Sequence, residues 1–351
     1  MKSTQSNPPQ SRSPKTSGPG DVRVGPVLSI PAILTELGVR PGRAFAQAGV
    51  DPQLFQDPDS RIQFEALASL FEACVSLTGC PHFGLLVGER FTLKAFGPLG
   101  YLMRNSASVG EAVRTLLLYL HLHDRGAAPV LLAPDPSRVI LGYSIYRHSA
   151  PTAAHAQIYD AAIAIGYRIL GELCGPRWKP LRIQFSHSRP GNIEPYRQLF
   201  RSRVRFDAEV SGIVFASSWL ERPIEGADAI LHDVLAKAIR HDEANSPMSF
   251  ADQVQGVLHQ MLLSGTASAE AVARVFGIHE RTLRRHLADE GKSLQQLINQ
   301  TRFELAQQLL QNTGLSVSEI AVALQYGDPN AFSRAFRNWA NLSPSQWRIR
   351  R

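Results

Sequence analysis

Spread over 351 residues, 44% hydrophobic and 19% charged, the chain has the apolar content for two domains with cores of their own. A net charge of +7 and a pI near 9.5 suit a polyanionic partner. Cys74, Cys80 and Cys174 exclude a paired disulfide framework, the apolar runs fall short of a membrane span, and no cleavable signal pattern opens the chain. The expectation is a soluble cytoplasmic protein that engages no membrane.

In chain order, residues 1–26 form a Ser/Pro/Lys/Gly tail too poor in apolar side chains to fold. Helical patterns follow at residues 30–37 and 62–78. Another runs over 108–123, where Ser108 and Glu111 stand at capping-box spacing. The period then changes. Residues 129–133 and 138–147 are β-branched and aromatic runs around Pro134-Asp135-Pro136-Ser137, which reads as a hairpin. A long Ala/Ile-rich helix is predicted over 152–174, then a strand at 181–185, a helix near 193–200, and strands near 204–206 and 212–215. Helices mixed with antiparallel strands make residues 27–222 an α+β domain. The charged segment 223–251 reads as a mostly helical interdomain connection.

Residues 252–351 read as an all-α C-terminal domain in which one helix-turn-helix pattern is written twice, at 269–289 and 317–339. Val272-Ala273 aligns with Ile320-Ala321 at an offset of 48, and Leu283 and Leu287 align with Phe332 and Phe336 at 49. The extra residue falls in the second turn, where an insertion costs least. In the first copy Ser268 is placed to cap a helix whose buried stripe is Ala271, Val272, Val275 and Phe276, with Gly277 as its stop. If Leu283 and Leu287 face the core, the helical period turns Arg281 and Arg285 outward, flanked by Thr282 and Arg284. With Phe332 and Phe336 inward, Asn330, Arg334 and Arg337 point out beside Ser333. These side chains pair with base edges in the major groove or with phosphate oxygens. A single amphipathic pair would fit many bundles that bind nothing. The repetition with matched arginines shifts the reading to double-stranded DNA. The charge of 252–351 is modest, 11 Lys+Arg against 8 Asp+Glu, so placed arginines matter more than a broad basic field.

The segment 320–348, IAVALQYGDPNAFSRAFRNWANLSPSQWR, resembles the signature of the AraC/XylS transcription regulators. The matching elements are Ile320-Ala321, Gly327, Asp328, the run from Phe332 to Arg337, and Ser343-Pro344-Ser345-Gln346-Trp347-Arg348. Gln325 departs from the pattern, which usually has Gly there, and Pro329 is less usual. The resemblance implies seven helices in two helix-turn-helix subdomains joined by a long helix, which residues 294–312 fit at roughly 28 Å for 1.5 Å per residue. It also implies that Arg281, Arg284 and Arg285 read bases or phosphates in the first unit, and Asn330, Ser333 and Arg334 in the second, with Arg337 on phosphate. Segments 97–123, 175–190, 194–209 and 212–224 resemble the subgroup whose N-terminal region carries the family name "arabinose-binding" domain. That implies effector sensing or dimerisation, without implying the sugar.

Other candidates read more plainly. Cys80-Pro81-His82 resembles, in scrambled order, the Pro-Cys-His of alkyl-accepting DNA-repair proteins, but no four-cysteine zinc site is available. His121 and His123 diverge on a helix, so no metal is expected there. Arg189, Arg197, Arg201, Arg203 and Arg205 read as solvated surface. Tyr101, Tyr119, Tyr143 and Tyr146 could line a small-molecule pocket or simply finish a core. The expectation is therefore a cytoplasmic regulator, without enzyme activity or cofactor, nucleoid-associated when bound to promoter DNA. It acts as a homodimer, reads a bipartite promoter site, answers an unknown small-molecule effector and, by the resemblance, activates through RNA polymerase. A repressor, a general architectural binder and a bifunctional enzyme using Cys80 are the competing readings.

Overall fold

The structure is a computed structural model, and it describes residues 21–145, 152–245, 249–264, 267–276 and 278–349. The tail up to residue 20, Tyr146 and Gly277 lie outside the described residues.

Residues 21–26, counted above with the tail, are part of the fold. β1 (Asp21–Arg23) pairs antiparallel with β2 (Arg61–Gln63), and Val22 and Val24 are buried. Three-residue strands carry no periodicity, which is why the pattern missed both. Between them stand α1 (Ile30–Glu36) and α2 (Pro41–Ala48). α3 (Phe64–Thr78), α4 (Phe83–Glu89), α5 (Pro98–Arg104) and α6 (Val109–Tyr119) follow. Ser108 caps α6 by accepting from Glu111 N. The predicted helical run to residue 123 ends early, in a 3-10 turn over Leu120–Leu122.

The predicted hairpin is β3 (Ala127–Asp135) with β4 (Arg138–Ile145). After α7 (Thr152–Cys174) come β5 (Arg182–Gln184), α8 (Glu194–Phe200), β6 (Val204–Arg205) and β7 (Ser211–Ala216). The five strands form one sheet of order β3-β4-β7-β5-β6, in which only β5 and β6 run parallel. This is the α+β domain expected.

Two large apolar cores fill this domain beside a small cluster of Val130, Leu132 and Val210, and α7 serves both large ones. Ala154, Ile158, Tyr159 and Ala161 belong to a core with α1–α4. Ile163, Ile169, Leu170 and Leu173 belong to a second core with α5, α6 and the sheet. α4 crosses α7 so closely that a Cβ on Gly84 or Gly88 would fall 2.2 Å from Gln157 O or 2.5 Å from Ala161 O. Glycine is what lets these backbones meet. Among the described residues no single helix is long and apolar enough to cross a membrane; α3 and α4 pass that test only as a pair bent by 112°.

α9 (Ala229–Asn245) occupies the predicted connection and packs against α5. The C-terminal domain then contains α10 (Phe250–Ser264), α11 (Ala269–Val275), α12 (Glu280–Asp289), α13 (Leu294–Asn312), α14 (Val317–Ala323), α15 (Pro329–Ala340) and α16 (Pro344–Ile349). Each helix pair has its own core. α13 gives Leu294 and Leu297 to the first, and Leu305, Ala306, Leu309 and Leu310 to the second. One unbroken helix thus joins both units.

Candidate nucleic-acid interface

Local chemistry explains why two recognition-type helices stand where the repeat placed them. Ser268 caps α11 through Ala271 N, and His279 Nδ1 accepts from Arg281 N at the start of α12. Ser293 and Ser316 form complete capping boxes with Gln296 and Glu319, starting α13 and α14. Asp328 accepts from Asn330 N and Ala331 N at 3.1 and 3.2 Å, and Pro329 sits in the first turn where its missing N–H costs nothing.

Leu283, Leu287, Phe332 and Phe336 are fully buried, as the period required. Arg281, Arg284, Arg285, Asn330, Arg334 and Arg337 are exposed, while Thr282 and Ser333 are half-buried beside them. Arg284 is held by Glu280 at 2.5 Å, one turn back. The other four arginines make no ion pair or side-chain hydrogen bond among the described residues. All eight predicted residues therefore lie on α12 or α15. Val275, read as part of the buried stripe of α11, is instead 58% exposed.

Three structural tethers of this domain escaped the sequence reading. Gln325 has φ +61, the left-handed conformation that favours glycine, and its side-chain amide donates to the carbonyls of Leu262 and Met261 at the end of α10. Arg348 donates from Nε to Leu310 O at 3.2 Å and from Nη2 to Leu315 O at 2.5 Å, tying α16 to the junction of α13 and α14. Glu304 on α13 accepts from Gln255 and Gln300, with His259 Nε2 3.4 Å away. Apart from the Gln300–Glu304 bond within α13, these are long-range pairings between distant segments, for which local pattern carries no signal.

The N-terminal domain holds a cavity of about 100 Å³ where its two large cores meet. Phe64, Leu67, Phe71, Phe96, Leu116 and Leu141 contribute to its wall, and so does one face of α7. Tyr143, one of the four candidate tyrosines, lines it and donates to Asp124. Tyr101 is instead half-exposed, and Tyr119 lies outside the wall. Burial pushes the Asp124 carboxyl up to about 6, partly countered by the Tyr143 hydroxyl. Burial also raises the Cys80 thiol, against the nucleophile reading. Among the described residues no group of three or more His, Cys, Asp and Glu could hold a metal ion. Arg205 lines a second, polar cleft with Arg138 and Arg182.

From the other face of α7, Asp160 accepts from Tyr196 Oη at 2.7 Å and lies 3.1 Å from His187 Nε2. Asp207 N donates to His187 O at 3.1 Å. Asp207 Oδ1 accepts from Gly314 N at 2.8 Å, two residues before the cap of α14. α10 lies against the edge strand β3. The two domains thus touch at the sheet edge and at the entrance to the second helix pair.

An α+β domain with an internal cavity, joined to two capped helix-turn-helix units on one shared helix, defines a two-domain DNA-binding regulator. The comparisons agree. Residues 38–224, more than half of the chain, match the family described as "Arabinose-binding domain of AraC transcription regulator, N-term", and residues 272–350 match a helix-turn-helix domain. The chain is 28% identical over 317 residues to the HTH-type transcriptional regulator VirS of Mycobacterium tuberculosis, covering 90% of this chain and 93% of that one. It is also 28% identical to the ornithine utilization regulator of Pseudomonas aeruginosa, with 90% and 93% covered. Among solved structures, the transcriptional regulator CdpR from Pseudomonas aeruginosa is 23% identical with a TM-score of 0.44, covering 88% of this chain and 96% of that one. The chain belongs to the AraC family of DNA-binding transcription regulators.

Proposed function

We propose that the protein is an effector-responsive activator that works in the cytoplasm as a homodimer and recruits RNA polymerase to a bipartite promoter site. The observation that carries the DNA-reading part is the pair of capped helices, α12 and α15, each backed by two buried apolar side chains and held by one continuous α13. Arg281, Thr282, Arg284 and Arg285 take the first half-site. Asn330, Ser333 and Arg334 take the second, with Arg337 on phosphate. Arg284 exchanges Glu280 for DNA.

The effector enters the cavity against α7 and biases two arrangements of that helix. The change passes through Asp160, His187 and Asp207 to Gly314, and so alters how α14 and α15 are presented. Exposed Ile230 and Val234 on α9 suit a subunit contact.

Selecting bound duplexes from a random library with the full-length protein tests this. The expected motif has two halves about one helical turn, roughly 10 base pairs, apart. Enrichment of a single half, or of no sequence, would overturn the bipartite reading.

A further inference from the structure

The wall of the cavity selects the chemistry of its occupant. Only His123, Asp124 and Tyr143 bring polar side chains to it, and no lysine or arginine lines it. Asp124 and Tyr143 satisfy one another, and Asp124 Oδ1 also accepts from Gly126 N at 2.7 Å. His123 is different. It is 3% exposed, and its Nε2 lies 3.3 Å from Arg23 Nη1. A guanidinium only donates, so Nε2 accepts and the neutral ring carries its proton on Nδ1. Burial, with Arg23 and Arg61 nearby, keeps the ring neutral by holding its pKa well below the ordinary histidine value. Nδ1 is buried without a hydrogen-bond partner. A buried donor left unmatched is costly, and one acceptor atom relieves it.

We infer that the effector is an uncharged, largely apolar small molecule with a single hydrogen-bond acceptor, such as a ketone or ester carbonyl, received by His123 Nδ1–H. This rests on the effector-sensing role proposed above. A sugar would bury several hydroxyls against a wall that has few groups left to meet them. A carboxylate would enter beside Asp124 with no cation on the wall to offset the repulsion. An ammonium would find Asp124 already accepting from Tyr143 and the Gly126 amide.

The test is thermal unfolding of the full-length protein titrated separately with 2-octanone, octanoate, octylamine and L-arabinose. 2-Octanone should raise Tm by about 5 °C at a hundredfold excess over Kd, the shift growing with the logarithm of concentration, and the other three should leave it unchanged. His123→Phe should weaken the ketone about three- to tenfold. Ala162→Phe, which fills the cavity from α7, should abolish the ketone shift in a protein with an unchanged circular-dichroism spectrum. That second variant decides the matter if His123→Phe does not fold. Equal or greater stabilisation by arabinose, octanoate or octylamine would overturn the inference. So would no shift with 2-octanone, or a ketone shift that survives Ala162→Phe. DNA affinity measured in saturating ketone is a separate readout. Ketone binding that leaves DNA affinity unchanged would sink the sensing role and leave the cavity's chemistry standing.

Discussion

Gln325 holds a left-handed backbone conformation in which a non-glycine residue loses about 1–2 kcal/mol. Its amide offsets this by bonding to the last carbonyls of α10. Gln325→Ala keeps the strain and loses the bonds, so chemical unfolding should show a loss of about 1–2 kcal/mol; wild-type stability would remove the anchor role. On the exposed face, Arg285→Ala should cost about 1–3 kcal/mol on the cognate duplex and relax preference at one base position. Arg337→Ala should weaken all duplexes alike and reduce the salt slope by about one. At His187, burial opposes the charged ring but Asp160 at 3.1 Å more than offsets it, and the net pKa is raised. A raised folded-state pKa means the stabilisation is complete below the unfolded value of about 6.5 and is lost as pH rises through the folded value. The Tm of the wild type should therefore fall more steeply above neutrality than that of His187→Gln.

Helices were legible wherever a cap and a stripe coincided. Ser108 and Ser268 read as caps in the sequence and do cap α6 and α11, and α7 and α13 run over the predicted residues. The hairpin was legible because β-branched runs flank a Pro-Asp-Pro-Ser turn. What was not legible are features created by contact between distant segments: the β1–β2 pairing, the His123–Arg23 contact and the close crossing of α4 with α7. That crossing gives a sharp expectation. Gly88→Ala places a methyl 2.5 Å from a backbone carbonyl and should cost about 1–3 kcal/mol, read by thermal unfolding. A neutral result would mean the two helices separate freely.

Taken whole, the molecule sets an α+β domain against a DNA-binding domain, with contacts at the Asp207–Gly314 bond and where α10 lies on β3. The candidate DNA residues could be named from the repeat, whereas the Asp207–Gly314 link could not, because 107 positions separate its partners. Asp207→Ala should leave the Tm shift caused by a cavity ligand intact while reducing the ligand's effect on DNA affinity. Undiminished coupling would place the route elsewhere, for example through α10 on β3.

The shared helix α13 also constrains how this chain can diverge. Each residue added to its 19 would turn the second unit by about 100° and advance it by about 1.5 Å. A seven-residue insertion nearly restores the angle, but moves the unit by about 10.5 Å, some three base pairs, onto another side of the duplex. Descendants of this gene should therefore vary in the length of their loops and never in the length of this helix. On the bipartite reading proposed above, new promoters are acquired by exchanging side chains on α12 and α15, at a half-site spacing that does not change.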